Sequence, residues 1–384
     1  MDDTSSDPAI LETIARATRL REGPAGVAAV LRAVYRAGSL RLQDVAREAR
    51  LPLPVTTAIR RELEKAGLLE RKHGLSLTIQ GRGFVESALG LGATHDVTCP
   101  ACGGRGIVIP GELRAVVDRL AALTTDAPPV DVTLDQCPCT PETALLRALL
   151  MLKNGALEGR RVLVLGDDDS VSVAIGMVGR ALRKSDLTRG VTVIESDPRR
   201  VAFLRAAADR EALAIDVVEH DLRAPLPATL ARAFDVVATD PPYTLAGAEL
   251  FLGRAGEALT GDGACYFSFT RWPAPQLADL QRVILDLGFA VRAVHPDFNH
   301  YLGASVLGNV GDLFELDQVR APAGALPTWT GALYTAEFNP RERAYSCVQC
   351  GAETVLGEDG APPTIEALKR AGCRACGCKI FRRR

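Results

Sequence analysis

Two short stretches decide how this chain folds: Arg161–Ser170, RVLVLGDDDS, and Phe234–Thr244, FDVVATDPPYT. Each is a short apolar, β-branched run that stops abruptly in a polar loop, and each is followed by a segment with helical periodicity. That pattern predicts parallel strands buried on both faces. Ligands of such sheets sit at the carboxyl ends of the strands, so the acids of both loops, Asp167, Asp168, Asp169 and Asp240, face one crevice.

Working outward from the first stretch, strand, loop and helix repeat from Arg160 to about Ala293. Val162–Leu165 reads as the first strand and Ser172–Arg183 as its helix. Gly190–Ile194 reads as a second strand running into Glu195, Ser196, Asp197 and Pro198, with a helix over Arg199–Glu211. Ile215–Val218 is a third strand, ending near His220 and Asp221, and Phe234–Thr239 is the fourth. An acid twenty to thirty positions after the first strand is the usual clamp for a ribose hydroxyl, a place Glu195 fits, while His220 and Asp221 lie where an adenine edge would. The fold class expected for residues 159–320 is therefore α/β, a Rossmann-like doubly wound sheet that binds a nucleoside.

This order of strand ends resembles the class I S-adenosylmethionine-dependent transferases, and the tetrad Asp240-Pro241-Pro242-Tyr243 resembles those that transfer to an amino nitrogen. A carboxylate and a fixed prolyl carbonyl can accept hydrogen bonds from a substrate N–H while an aromatic ring packs against it. The first loop departs from the methyltransferase pattern. Where that pattern has glycines whose amides approach the methionine carboxylate, Gly166 is followed by three aspartates, which repel a carboxylate and attract an ammonium.

Together, GDDD at 166–169, ESDP at 195–198, DPPYT at 240–244 and GNVGDLFEL at 308–316 resemble the branched-chain polyamine synthases, over roughly Gly26–Leu316. The resemblance implies transfer of an aminopropyl group from decarboxylated S-adenosylmethionine to a secondary amine of spermidine, releasing methylthioadenosine. Carried onto matching positions, it makes Asp167 the key acid, with Asp240 and Tyr243 holding the attacking amine and either Asp167 or Asp240 accepting its proton. Asp168, Asp169 and Pro241 fall on the polyamine side. Asp312 and Glu315 either meet its distal ammonium groups or lie on a surface strand. Gly166, Glu195, Asp197 and Asp221 fall on the donor side.

The remaining chain frames this domain. With 384 residues there is room for two or three domains. A net charge of −2 gives no global attraction to nucleic acid. No run of eighteen apolar residues appears and the N-terminus, MDDTSSDPAI, is acidic, so a cytoplasmic protein without membrane spans is expected.

Residues 1–24 read as a partly ordered arm. Residues 25–92 have the order of a winged helix-turn-helix domain, with helices over Val27–Arg36, Arg41–Ala49 and Pro54–Ala66 and a wing tip near Lys72. Its candidate recognition helix offers Arg60 and Arg61 but also Glu62 and Glu64. Protein contact or cover over the active site is therefore weighed ahead of DNA binding.

Ten cysteines are grouped rather than scattered. Cys99 and Cys102 (CPAC) with Cys137 and Cys139 (CPC) suggest one four-sulfur site in a zinc-ribbon-like connector, residues 93–158. Cys347 and Cys350 (CVQC) with Cys373 and Cys376 (CRACGC) suggest a second in a module at residues 321–384, with Cys378 as the alternative fourth ligand. About two structural zinc ions per chain are expected, and Cys265 belongs to the core. The stretch after Leu316, rich in Pro, Gly and Ala, reads as a linker. His295 and His300 read as loop residues facing the crevice or, alternatively, as metal ligands. A homodimer is expected. Competing functions are an amino-group methyltransferase acting on nucleic acid or protein, and a non-enzymatic winged-helix and zinc-ribbon regulator.

Overall fold

A computed structural model describes residues 7–20, 22–49, 51–71, 74–91, 99–302, 309–338, 344–356, 362 and 365–383. The expected wing tip at Lys72, the first residues of the N-terminal arm and Gly308 of the GNVGDLFEL stretch lie outside these residues.

The amino-terminal unit contains helices α1 (Asp7–Ala17), α2 (Gly23–Ala37), α3 (Leu42–Glu48) and α4 (Leu53–Lys65), an antiparallel pair β1 (Leu69–Arg71) and β2 (Leu75–Leu77), and α5 (Ile79–Ala88). Residues 7–17, expected within a partly ordered arm, are a helix because Leu11 and Ile14 are buried with Val27, Leu31, Ile59 and Leu63 in this unit's core. Between it and the central sheet lie α6 (Arg114–Thr124) and α7 (Pro141–Lys153). The segment expected to be a zinc-ribbon-like connector thus contains these two helices and, among the described residues, no strand. Leu120, Leu123, Leu145 and Leu149 carry it into the sheet's core.

The central domain continues with β3 (Arg161–Leu165), α8 (Val171–Ala181), β4 (Gly190–Glu195), α9 (Pro198–Glu211), β5 (Ile215–Glu219), β6 (Phe234–Thr239), α10 (Leu245–Ala258), β7 (Leu259–Thr270), α11 (Ala274–Asp286), β8 (Phe289–His300) and β9 (Val310–Gln318). These strands form a seven-stranded sheet in the order β5-β4-β3-β6-β7-β9-β8. The first five in that order are parallel, and β9 runs antiparallel to both β7 and β8. The sheet is therefore mixed, and His295 and His300 lie within β8 rather than in a loop after it.

Successive strand residues face opposite sides. On β3, Val162 and Val164 pack with α6–α9, whereas Leu163 and Leu165 pack with α10 and α11. A strand apolar on both faces belongs at the centre of a sheet, which is where β3 sits. Cys265 is fully buried on β7, as its sequence setting suggested.

Beyond β9 the chain passes through α12 (Thr335–Phe338) to a small module of β10 (Ala344–Cys347), β11 (Glu353–Val355), α13 (Ile365–Ala371) and β12 (Phe381–Arg383), in which β10 pairs with both other strands. No helix among the described residues is long and apolar enough to cross a membrane.

Candidate active site

The loops after β3, β4, β5 and β6 meet where the sequence placed them. The crevice at their carboxyl ends is lined by Gly166, Asp168, Glu195, His220, Asp221, Asp240, Pro241, Pro242 and Tyr243. Gly166 has φ +67, a left-handed conformation that turns the chain sharply off β3. The DPPY turn is fixed from behind by α10. Thr244 caps this helix by accepting from the Gly247 amide at 2.8 Å. A Cβ at Gly247 would stand 2.2 Å from the Pro242 carbonyl oxygen, so only glycine lets the helix approach this closely.

The three aspartates of the first loop have different surroundings. Asp167 is fully buried, and its carboxylate accepts from the Val171 amide at 2.7 Å, the Ser172 amide at 3.2 Å and the Ser172 hydroxyl at 2.5 Å. It serves the first turn of α8 and does not line this crevice. Expected to be the acid meeting the amine, Asp167 instead lines a smaller cavity together with Arg147, Asp169 and Asp240. Burial raises its pKa to about 7 against the lowering effect of those hydrogen bonds.

Asp168 does line the crevice, and its Oδ2 accepts from the Cys137 amide at 2.8 Å. Burial and the neighbouring Asp169 hold its carboxyl well above the usual carboxylate range. Asp169 is turned inward, accepting from the Cys139 amide and from the Arg147 guanidinium.

Asp240 completes the acid group. Its Oδ2 accepts from Arg147 Nη2 at 2.7 Å and from the Tyr301 hydroxyl at 2.7 Å. Its Oδ1 is buried with no hydrogen-bond partner among the described residues. Burial raises its pKa to about 6, opposed chiefly by Arg147. Tyr243 packs edge-on against Phe269 at 5.4 Å and Tyr301 at 6.1 Å between ring centroids.

On the donor side, Glu195 accepts from the Ser196 and Asp197 amides through Oε1 and from the Asp167 amide through Oε2, which fixes its carboxylate at the crevice wall. Asp221 lies on the same wall. Asp197 does not line the crevice. It caps α9 and is held by Arg199 and by Gln136, whose amide donates to it at 3.0 Å.

Asp312 and Glu315 on β9 also lie outside the crevice lining. Asp312 Oδ1 accepts from the Asp297 amide at 3.0 Å, and Glu315 meets His295 Nε2 at 2.7 Å. Both acids, expected either to meet distal ammonium groups or to lie on a surface strand, are on β9 with partners within the protein. His300 is partly buried on β8, and burial lowers its pKa. Neither histidine joins a group of metal-ligating side chains among the described residues.

The first cysteine set does not assemble. The CPC segment crosses the crevice: Cys137 lines it, and its thiol is pushed up to about 12 by burial and by Asp168. Cys139 is buried behind Asp169. The amides of this segment donate to Asp168 and Asp169, and Cys99, Cys102, Cys137 and Cys139 form no group within ligand distance among the described residues. The second set does assemble, with the sulfurs of Cys347, Cys350, Cys373 and Cys376 all within 4.8 Å of one another. Cys378 lies outside it, its sulfur accepting from the Ile380 amide at 3.4 Å.

Sequence reading missed several residues of the site. Arg147 and Tyr301 bind the acids, Phe251 lines the donor end, and Leu333 and Tyr334 add a wall from the stretch read as a linker. That stretch is tied to the loop before CPC by the Thr335 amide donating to Asp135 at 2.7 Å. The available signal was Arg147 itself, a lone guanidinium in the otherwise apolar run ALLRALLML.

The chain's sequence from 115 to 322 matches the model of the branched-chain polyamine synthase A C-terminal domain. The chain belongs to the branched-chain polyamine synthase family.

Among its relatives, the N(4)-bis(aminopropyl)spermidine synthase of Thermus thermophilus is 34% identical over 302 residues, 76% of this chain and 81% of that protein. An uncharacterized protein of Methanocaldococcus jannaschii is 32% identical over 376 residues, 97% of this chain and 92% of its own length. The crystal structure of the Thermus thermophilus branched-chain polyamine synthase, in complex with N4-aminopropylspermidine and 5'-methylthioadenosine, superposes with a TM-score of 0.70 at 30% identity. That match covers 88% of this chain and 99% of the other. As a family member, this chain keeps the α/β architecture and places its acids at the strand ends of that sheet.

Proposed function

We propose that this chain is an aminopropyltransferase that moves the aminopropyl group of decarboxylated S-adenosylmethionine to the secondary amine of spermidine or a related polyamine. The observation that carries this reading is the pairing of two acids at one end of the crevice. Asp168 faces the lining, and Asp240 presents a buried, unpartnered Oδ1 within the DPPY turn. A site of this kind favours a cationic amine and disfavours a donor that bears a carboxylate.

In the displacement, the amine lone pair attacks the methylene carbon bound to the sulfonium. The carbon–sulfur bond breaks, and its electron pair stays on sulfur as the neutral thioether of methylthioadenosine. The new nitrogen–carbon bond leaves a positive charge on nitrogen until its proton passes to a carboxylate. Because the sulfonium is already an activated leaving group, the protein's work is to desolvate, align and deprotonate the amine. Asp240 Oδ1 would accept the proton and Asp168, whose carboxyl is held protonated by burial and by Asp169, would align the amine by hydrogen bonding, with Tyr243 and the Pro241 carbonyl beside the nitrogen. Glu195, Asp221, His220, Phe251 and Tyr334 then form the nucleoside end. Calorimetry tests the donor assignment: decarboxylated S-adenosylmethionine should bind much more tightly than S-adenosylmethionine, and equal affinity would contradict it.

Two accessory assignments accompany this reading. The sulfurs of Cys347 and Cys376, and those of Cys350 and Cys373, lie 3.5 Å apart. Four ligands at about 2.3 Å around a tetrahedral zinc ion stand roughly 3.8 Å from one another, so the thiol set fits a structural zinc ion. The amide of Gly351 donates to the Cys347 carbonyl and that of Gly377 to the Cys373 carbonyl, forming two tight turns that present the thiols. The amino-terminal unit has the element order of a winged helix and is assigned to cover or protein contact. Arg60 on α4 is buried and paired with Glu64 at 3.1 Å, which removes that guanidinium from phosphate contact. On the opposite side, the Arg47 carbonyl accepts from Arg271 of the central domain at 2.7 Å.

A further inference from the structure

Helix α7 is buried around most of its circumference: Leu145, Leu146, Ala148, Leu149, Leu150 and Met151 are all core residues. A guanidinium at the centre of such a helix is costly unless every side of it is matched. Arg147 is matched on every side. Its Nε donates to Asn299 Oδ1 at 2.8 Å, its Nη1 to Asp169, and its Nη2 to Asp240 Oδ2 at 2.7 Å and the Tyr301 hydroxyl at 3.2 Å. Asn299 is itself fixed, donating to the Asp312 carbonyl at 3.0 Å. Tyr301 donates to the same Asp240 oxygen at 2.7 Å.

The consequence is an asymmetry within one carboxylate. Two donors saturate Asp240 Oδ2, and Oδ1 has none among the described residues. Asp169, which would otherwise offer a competing acceptor, is committed to Arg147 and the Cys139 amide.

We propose that Arg147 is a positioning residue for the transfer reaction: by committing Asp169 and one oxygen of Asp240, it fixes Asp240 Oδ1 as the oxygen that receives the acceptor amine. The inference rests on the reaction proposed above. It predicts a specific pH effect, because the groups facing Asp240 are Asp168 and Asp169 from the β3 loop, Arg147 from α7, Tyr301 beyond β8, Tyr243 from its own turn and Cys137 and Cys139 from the crossing segment. Among these residues Arg147 is the one cation, and Arg200 of α9 faces the neighbouring Asp168. Removing Arg147 leaves like charges against Asp240, so the carboxylate would hold its proton to a higher pH.

The test compares full-length wild type with Arg147→Met, Arg147→Lys and Tyr301→Phe. Turnover of spermidine with decarboxylated S-adenosylmethionine is followed from acid to alkaline pH, and binding of methylthioadenosine and of spermidine is measured by calorimetry. Arg147→Met should lower kcat by roughly 100-fold, the scale of a misplaced catalytic group. It should move the acid limb of kcat/KM to higher pH and leave methylthioadenosine affinity within a few-fold. Arg147→Lys should recover part of the rate and most of the limb, and Tyr301→Phe should give a smaller shift in the same direction.

An acid limb unchanged in Arg147→Met, with Arg147→Lys no better, would overturn the assignment, as would loss of methylthioadenosine binding in both Arg147 variants. If wild type binds spermidine but forms no product, the proposed reaction fails. Arg147 would then be judged by spermidine binding alone, whose acid limb must move in Arg147→Met.

Discussion

The crevice and the carboxyl-terminal module are both clusters of like groups drawn together by the fold, carboxylates in one and thiols in the other. Each is a site that a cation would stabilise. They differ in how they are held. The crevice acids sit at the ends of central strands whose apolar residues are buried, and Arg147 pairs with two of them from within. The cysteines sit on two short turns beside a three-stranded sheet with few buried apolar residues, among them Leu368. One site is a property of a large core. The other has little core beneath it, and small units of this kind depend on their metal.

The first way to break that comparison is at the crevice, where the largest effects are expected. Asp240→Asn should lower turnover by about a hundredfold to ten-thousandfold, the usual cost of losing a positioned proton acceptor, and Asp168→Asn should lower it by less. Zinc content should be unchanged. Near-normal rates in both variants would show that these acids do not meet the amine.

The converse test is at the module. Elemental analysis should find one zinc ion bound by the Cys347, Cys350, Cys373 and Cys376 set, and Cys350→Ser or a chelator should remove it and loosen residues 344–383. Methylthioadenosine binding should persist. If metal loss abolishes that binding, the two regions are not independent in stability. One ion is predicted in place of the expected two because Cys99, Cys102, Cys137 and Cys139 form no group within ligand distance among the described residues.

A smaller effect follows from the buried acids. Asp167 and Asp240 have folded pKa values raised to about 7 and about 6, above the 3.8 of a free aspartate. Between pH 4 and 7 the folded protein therefore binds more protons than the unfolded chain. Its stability should fall as pH rises through that window, by up to about 1.4 kcal/mol per pH unit for each such group, and fall less steeply above it, where Asp168, raised further still, continues to contribute. Denaturant melts over this range should show the fall, and saturating spermidine should reduce it. Stability that rises across the window would contradict the burial of these carboxyls. Asp167→Ala should flatten part of the slope while costing about 0.5–2 kcal/mol for the lost helix cap. The smallest effect is expected for Arg61→Ala on the amino-terminal unit, with turnover unchanged within a few-fold.

Much of the central domain was legible because its strands are buried on both faces. RVLVL and FDVVAT cannot be stable elsewhere, and their ends fix where the acids point. The roles of the individual acids were not legible. Asp167, Asp168 and Asp169 are consecutive, and only the turn after Gly166, with Ser170 at φ +58, decides which one caps α8, which faces the crevice and which meets Arg147. Spacing likewise treated both cysteine sets alike. The split of the first arises from long-range hydrogen bonds between the Cys137 and Cys139 amides and acids thirty residues away, which no local pattern records. Leu333 and Tyr334 were read as linker because composition reports flexibility and not where a segment lands.

The central claim is that the acid crevice transfers an aminopropyl group to a polyamine nitrogen. Its most direct test is to incubate the protein with spermidine and decarboxylated S-adenosylmethionine and to follow polyamines and nucleosides together by mass spectrometry. The expected result is spermidine gaining aminopropyl units on its secondary nitrogen, with one methylthioadenosine released per unit added and both signals greatly reduced in Asp240→Asn. Absence of any such product with spermidine and other linear polyamines, or methyl groups appearing in place of aminopropyl groups, would contradict the account.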